Sequence, residues 1–577
     1  MDRIICNPVN LPYRFRGPFS STAVCRSMAD PSLILFKGRY YLFPSTKGFY
    51  VSDNLADWEF VDGRDLPIEF GAPDIREVDG WLYQCASGTG VGTIWRTRDP
   101  MSGEWEKVSS PFAFWDPDFF EDDDGRVYFY WGCSNTSPIW GVEMDKDTMT
   151  PRGEPVALLE GRQDIHGWER PGTDNDNRRG FTFPGETSGP PVQDPRPWIE
   201  GAWMTKHDGK YYLQYAGPGT EYNVYADGYY VSDHPLGPFV YGADSPFSAK
   251  PGGFITGAGH GSTLQDRYGN WWHISSMVVA VHESFERRVG LFPTGFDRDG
   301  VLYSNMNYAD YPMILPQRKI DDPWTECFPG WMLLSYGKPV TASSTFTGYP
   351  PENVTDESIR TRWAAGTREP GEHISVDLGD VVDVRAVQLN FAEHNLGPLQ
   401  TLPGYREQDL PAERRGRHRL TWLLEGSEDG TRWLVLADRR GTDTDLSHDL
   451  VCFEEGRRLR YVRVTGFEMP FQGSFSMSGL RVFGHAGKAA PAPATEVAAT
   501  RLDGMTMRVS WTPAQDCDGY NVRWGTAPDK LYHSWQVVGK ESNTITIGQL
   551  NDGIDCYVAV DTFNGSGITT GETTQAR

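Results

Sequence analysis

The stretch DPSLILFKGRYYLF, residues 30–43, sets the pattern that organises the first half of the chain. Asp30 opens an apolar run, Lys37 and Gly38 interrupt it, and a second run follows with Tyr40 and Tyr41 near its start. Two alternating runs joined by a glycine-containing pair read as a β-hairpin. Four further segments share the layout: DIREVDGWLYQCAS from Asp74, DPDFFEDDDGRVYFYWG from Asp116, EGAWMTKHDGKYYLQYAG from Glu200 and HGSTLQDRYGNWWHISS from His260. Each turns at a glycine, Gly80, Gly125, Gly209 or Gly269, and each second run opens with aromatics.

The five starts lie 44, 42, 84 and 60 residues apart. Periods near about 40–50 residues, with about four strands per unit, predict a β-propeller. Five hairpins predict five blades. The wide interval holds an insertion, residues 155–199, rich in Gly, Pro, Asp and Arg. It reads as a long loop on the functional face. The innermost strand of a blade lines the central channel, so Asp30, Asp74, Asp116, Glu200 and His260 should meet at one end of it.

Taken singly, these residues have ordinary explanations. An aspartate before a strand serves a turn, and a lone histidine is most often a satisfied buried side chain. The shared register changes that reading. Asp30, Asp116 and Glu200, placed around one axis, cannot all ionise freely, so one keeps its proton at neutral pH. Glu200 is flanked in sequence by Trp198 and Trp203. Indole walls desolvate a carboxyl, raise its pKa and suit it to act as a general acid. A proton donor facing an ionised base is what hydrolysis of a glycosidic bond requires.

Composition agrees and excludes other classes. The 577 residues include 20 Trp, 26 Tyr, 29 Phe, 63 Gly and 41 Pro, which fits many short strands and turns and argues against disorder. A formal net charge of −24 repels phosphate backbones and argues against nucleic acid as a partner. No apolar run approaches the roughly 18 residues of a membrane span. The N-terminus carries no apolar stretch of secretory length, and the cysteines at 6, 25, 85, 133, 327, 452, 517 and 556 form no CxxC pair. Free thiols in the cytoplasm are the expectation.

The motifs ADPSLILFKGRYYLF, FGAPDIREVDGWLYQ, WDPDFFEDDDGRVYFYWG, EGAWMTKHDGKYYLQYAG, GHGSTLQDRYGNWWHI and ERRVGLFPTGFDRDG span about residues 20–310. In this order they resemble glycoside hydrolase family 43. The resemblance implies a five-bladed propeller and hydrolysis with inversion. It implies Asp30 as the general base and Glu200 as the general acid. Asp116 would raise the pKa of Glu200 and help orient the substrate. His260 matches a histidine that faces a buried calcium or water cluster, so a structural calcium is the one metal expected, and the chemistry needs no cofactor. Arg287 matches a substrate-contacting arginine, with Arg288 as the alternative because the pattern reads ERR. Inversion also implies that the carboxyls of Asp30 and Glu200 stand roughly 6.5–9.5 Å apart.

Aromatic side chains would stack on a sugar ring while polar groups take its hydroxyls. Trp115, Trp203, Phe70 and Trp168, with Asp74, are the candidates, although aromatics also fill propeller cores. Trp271, Trp272 and Tyr211 read as packing between blades. The expected activity is exo-acting release of a terminal pentose, α-L-arabinofuranose first, from an oligosaccharide. A β-xylosidase on the same scaffold and a non-catalytic glycan-binding protein are the alternatives. Oligomeric state is not legible.

The pattern changes after residue 322. Residues 332–486 resemble a discoidin-type β-sandwich in the ASS start, Asn353 to Asp356, Arg362–Trp363, the SEDG turn and the closing LRVFG. Within it, EHNLGPLQTLPGYREQDLPAERRGRHR, residues 393–419, reads as a solvated inserted loop. GKAAPAPATEV reads as an extended spacer. The remainder resembles a fibronectin type III module with Trp511, Tyr520 and Tyr557 at core positions, serving as a spacer or in packing. The expected organisation is all-β: a propeller over 1–325, a discoidin-like sandwich over 326–487, and a linker and small sandwich over 488–577.

Overall fold

The computed structural model describes residues 2–16, 24–186, 189–396 and 418–577. They form an all-β structure in which helical residues are limited to short 3₁₀ turns. The inserted loop expected at 393–419 lies for the most part outside the described residues.

Three separate antiparallel four-stranded sheets make the first three blades, and a nine-stranded sheet makes the fourth and fifth, joined by one parallel pair between Ala226 and Ala258. The first blade runs Ser32–Phe36, Arg39–Phe43, Gly48–Ser52 and Glu59–Asp62. The second opens with Asp74–Val78, the third with Asp118–Glu121, the fourth with Glu200–His207 and the fifth with Thr256–Gln265. These opening strands neighbour one another in order, and the fifth returns to the first, which closes the ring. The first, second and fourth hairpins turn through Lys37-Gly38, Asp79-Gly80 and Asp208-Gly209, every one of these residues at positive φ. That is the two-residue turn whose twist matches the flanking strands. Bulky side chains fill the space between blades. Phe36, Phe43, Phe49, Phe70, Ile75 and Leu82 form one such layer between the first and second blades.

Two further β-units follow. The middle unit is built on an eight-stranded sheet whose central strands are His373–Phe391, His448–Glu468 and Ser476–His485. Trp363, Trp422, Leu389 and Val464 lie in its core. The C-terminal unit has a three-stranded and a five-stranded sheet packed around Trp511, Tyr520, Val522 and Val558. Tyr557, expected in that core, is only half-buried.

Both units are joined to the propeller through buried polar contacts. Arg26, 1% exposed, pairs with Glu393 at 2.5 Å and Asp445 at 2.7 Å of the middle unit. The backbone of the insertion meets the C-terminal unit where Gly167 N donates to Leu550 O at 2.8 Å. Arg170 adds bonds to Thr506 and Gly548, both at 2.9 Å. The insertion is therefore more than a loop on the functional face. It supplies the outer strand Val156–Leu159 of the third blade and the seat for the C-terminal unit.

Candidate active site

The first, third and fifth blades each begin with a residue in the left-handed region: Asp30 at φ 52°, Asp116 at φ 49° and His260 at φ 49°. Non-glycine residues rarely adopt this conformation and do so chiefly where surrounding structure enforces it. Asp30 and Asp116 stand two residues before their inner strands, and His260 sits within Thr256–Gln265 where the pairing shifts between Gly259 and Ser262, so each side chain is left at the mouth of the channel. The equivalent residue in the second blade is Ala72, at φ 39°. The sequence motifs agree in hindsight, since Asp30-Pro31-Ser32, Ala72-Pro73-Asp74 and Asp116-Pro117-Asp118 share one frame.

Asp74 is therefore two residues deeper than expected and is not part of the mouth. It is 1% exposed, and its carboxylate accepts from Phe119 N at 2.8 Å and from Ser32 Oγ at 3.3 Å. Asp118 repeats the device, accepting from Met204 N at 2.7 Å and from Arg76 Nη2 at 2.7 Å. These carboxylates fasten one inner strand to the next. Burial, and the neighbouring Asp118, hold the Asp74 pKa well above the ordinary carboxylate range.

Glu200 reaches the same mouth from the fourth blade. The pairing of its strand shifts between Glu200 and Trp203, a bulge that re-aims the side chain. Gly201 sits in that bulge at φ 60°, and a Cβ there would stand 2.7 Å from Cγ of His260. Only glycine lets the fourth blade come so close to the histidine of the fifth.

Asp30, Asp116, Glu200 and His260 are thus brought together. His260 Nδ1 lies 3.5 Å from Asp30 Oδ1 and 3.8 Å from Asp116 Oδ2. One oxygen each of Asp116 and Glu200 lies within 4.8 Å of the other and of Cys133 Sγ. Arg287 Nη1 donates to Asp30 Oδ1 at 3.0 Å and to Thr220 Oγ1 at 3.1 Å. A charge-assisted bond of this kind favours the ionised carboxylate that a base needs. Burial pushes the Asp116 carboxyl up to about 7, against the pull of His260 and with a further rise from Glu200 and Asp30. Burial would lower the His260 pKa, but Asp30, Asp116, Glu200 and Asp227 outweigh it and the net shift is upward. The mouth therefore holds exchangeable protons near neutral pH, among carboxylates drawn from three blades.

Several supporting groups carry no signal of their own in the sequence. Ser276 Oγ accepts from Asp30 N at 2.8 Å, and Ser45 Oγ donates to Asp30 Oδ2 at 2.6 Å. Ser87 Oγ accepts from Asp116 N at 2.7 Å and donates to its Oδ1 at 3.1 Å. Tyr225 OH donates to Glu200 Oε1 at 2.5 Å, and Cys133 Sγ to Glu200 Oε2 at 3.2 Å.

The aromatic candidates divide. Trp115, beside Asp116, is 46% exposed and free to face a ligand. Trp198 is likewise exposed, so it does not wall Glu200 in. Trp203 is buried, donates to Thr263 O at 3.0 Å and lies under the Arg76 guanidinium at 3.3 Å from the ring centre. Phe70 packs between blades. Trp168 is fully buried, donates to Tyr241 OH at 2.8 Å and fills the space left by Gly228. None of these three stacks on a ligand. Trp272 and Tyr211 pack as expected.

Strand alternation separates the two arginines. Arg287 turns to Asp30, while Arg288 turns away to His448 at 3.1 Å in the middle unit and is not a substrate contact. His260 belongs to neither of the clusters that bring three ligand atoms together among the described residues, which are Cys25–His282–Glu286 and Asp116–Cys133–Glu200. Calcium takes six or more oxygens, water and backbone carbonyls among them, and the Asp30 and Asp116 carboxylates beside His260 would supply part of that set.

Residues 22–302 match the description of glycosyl hydrolases family 43. The chain is 28% identical over 260 residues to a β-xylosidase of Xylanibacter ruminicola, covering 37% of this chain and 78% of that protein. It is 29% identical over 332 residues to xylosidase/arabinosidase 43A of Humicola insolens, covering 48% and 95%. It is 24% identical over 251 residues to a β-D-galactofuranosidase of Aspergillus niger, covering 37% and 62%. With three carboxylates, a histidine and an arginine gathered at one mouth of a five-bladed ring, residues 22–302 form a glycoside hydrolase domain of family 43.

Proposed function

We propose that this domain removes a terminal pentose from oligosaccharides by single displacement with inversion, α-L-arabinofuranose being the first candidate and β-D-xylose the second. The observation that carries the reading is the meeting of Asp30, Asp116 and Glu200 around His260, with Arg287 on Asp30 alone. Asp30, held by Arg287 and Ser45, accepts a proton from water as that water attacks the anomeric carbon. Glu200, held by Tyr225 and Cys133, delivers a proton to the departing glycosidic oxygen. Asp116 stores a proton near neutral pH beside Glu200 and keeps the negative charge of the mouth down while Asp30 is ionised. The exposed Trp115 offers a face for the sugar ring. Relatives named as xylosidases and arabinosidases support a pentose, and the galactofuranosidase supports including hexofuranosides in the search.

The middle and C-terminal units are read as discoidin-like and fibronectin type III-like sandwiches that brace the propeller. Eight cysteines with no disulfide among the described residues fit a reducing compartment. The test is a screen of 4-nitrophenyl α-L-arabinofuranoside, β-D-xyloside and β-D-galactofuranoside, with Glu200→Gln as control. Turnover of a pentoside, lost in Glu200→Gln on a substrate with a poor leaving group, supports the reading. Glycan binding without turnover of any substrate supports the non-catalytic alternative.

A further inference from the structure

The channel mouth is built with a repeated support that changes chemistry at one blade. In the first, second, third and fifth blades, Ser32, Asp74, Asp118 and Ser262 pair with Phe43, Cys85, Tyr130 and Ile274 of the following strand. Two residues beyond those partners stand Ser45, Ser87, Gly132 and Ser276. The three serines all brace the opening of the next blade. Ser276 Oγ accepts from Asp30 N, Ser45 Oγ accepts from Ala72 N at 2.7 Å, and Ser87 holds Asp116 by both its N–H and its carboxylate. The third blade has Gly132 at this place, which offers no side chain. The next residue, Cys133, turns its thiol to Glu200 at the opening of the fourth blade.

We propose that Cys133 is a positioning residue for Glu200: its thiol replaces the serine of the first, second and fifth blades, donates to Oε2 and, with Tyr225 on Oε1, fixes the plane of the carboxyl that protonates the leaving group. This rests on the reading of Glu200 as the general acid. Each carboxyl oxygen has two lone-pair directions, so accepting from Tyr225 or Cys133 leaves one direction free for the transferable proton. The thiol lies close to both Glu200 and Asp116. Burial, then Glu200 and Asp116, drive its pKa far up, so it stays a neutral donor. With an apolar side chain in its place, Oε2 loses its donor and the carboxyl is free to turn about its last torsion.

The experiment compares Cys133→Ser, Cys133→Ala and Cys133→Val on 4-nitrophenyl and methyl α-L-arabinofuranosides and on the corresponding β-D-xylosides, with Glu200→Ala in parallel. A hydrogen bond to a charged group contributes about 1.5–3 kcal/mol, so losing this one lowers kcat on the methyl glycosides by about 10- to 100-fold. The expected result is that loss in both Ala and Val variants with KM little changed, a much smaller loss on nitrophenyl glycosides, and recovery to near wild type in the Ser variant. Using two non-donors of different volume separates the bond from packing. Equal losses on both substrate classes, no loss on either, or a Ser variant as impaired as Ala overturns the inference. If Glu200→Ala shows the leaving-group dependence and the Cys133 variants do not, this inference fails alone. If Glu200→Ala shows none, the assignment of the acid fails.

Discussion

Arg287 Nη1 donates to Asp30 Oδ1 at 3.0 Å, and both side chains are about nine-tenths buried. A buried arginine bonded to one carboxylate of the three favours its ionised form, the form that the proposed role of Asp30 as base requires. Arg287→Ala should remove a buried cation bonded to Asp30 where Asp30 lies beside Asp116 and Glu200. The expected loss in kcat/KM is about 100-fold, from a charge-assisted bond of about 2–3 kcal/mol. Arg287→Lys should recover part of it, since one bond is made and no bidentate fork is at stake. Kinetics on whichever nitrophenyl glycoside is turned over would check this.

Gly201→Ala should both destabilise the fold and damage activity. The residue sits at φ 60° and the added methyl would meet the His260 ring at 2.7 Å. Gly209→Ala is the control, because φ there is 76° but nothing lies within 4 Å. Both substitutions should cost about 1 kcal/mol or more for the backbone conformation. Gly201→Ala alone should also lower kcat at least tenfold, as His260 and Glu200 are pushed apart. Melting temperatures and initial rates of the two variants decide the matter.

Asp116→Asn should trade activity for stability in a pH-dependent way. The Asp116 carboxyl titrates near 7 in the fold, with burial as the main cause, against about 4 in an unfolded chain. Between those values the folded state binds the extra proton, so native stability falls as pH rises from about 4 to about 7 and levels off above. An amide there keeps the bond from Ser87 and has no proton to lose. The melting temperature of Asp116→Asn relative to wild type should therefore rise from pH 5 to pH 8, while turnover is lost at both. A difference that is flat or falls with pH contradicts the burial of a titrating carboxyl at this site.

Glu393→Ala should unfold the joint between the propeller and the middle unit. Arg26 and Glu393 are fully buried partners, and Arg288 approaches Glu393 within 3.8 Å. Removing Glu393 leaves Arg26 with Asp445 as its remaining carboxylate, so the cost should fall below the roughly 3–5 kcal/mol of a buried charge left wholly unpaired. Arg26 lies four residues before Asp30, so the loss should appear in activity before global unfolding as temperature rises. Parallel scans of activity and of tryptophan fluorescence would show it.

The blades were legible because each repeats one hairpin with one turn chemistry, and the mouth was legible because the repeat carries acids in register. The frame itself was readable in the X-Pro-X triplets, which place Ala72 and not Asp74 beside Asp30. Trp168 and Trp203 could not be assigned from sequence. Their burial depends on Gly228 and Tyr241 in one case and on Arg76 and Thr263 in the other, all distant in the chain. Arg287 and Arg288 were distinguishable only once their strand had a direction. Tyr225 and Cys133 meet Glu200 from 25 and 67 residues away, contacts made by the folding of its own blade and by packing against the third.

The central claim is a single displacement in which Asp30 activates water on one face of the sugar while Glu200 protonates the leaving group on the other. Proton NMR of the first-formed sugar, recorded before mutarotation during hydrolysis of the nitrophenyl pentoside, tests it directly. The account predicts the anomer opposite to that of the substrate. Formation of the same anomer would contradict it.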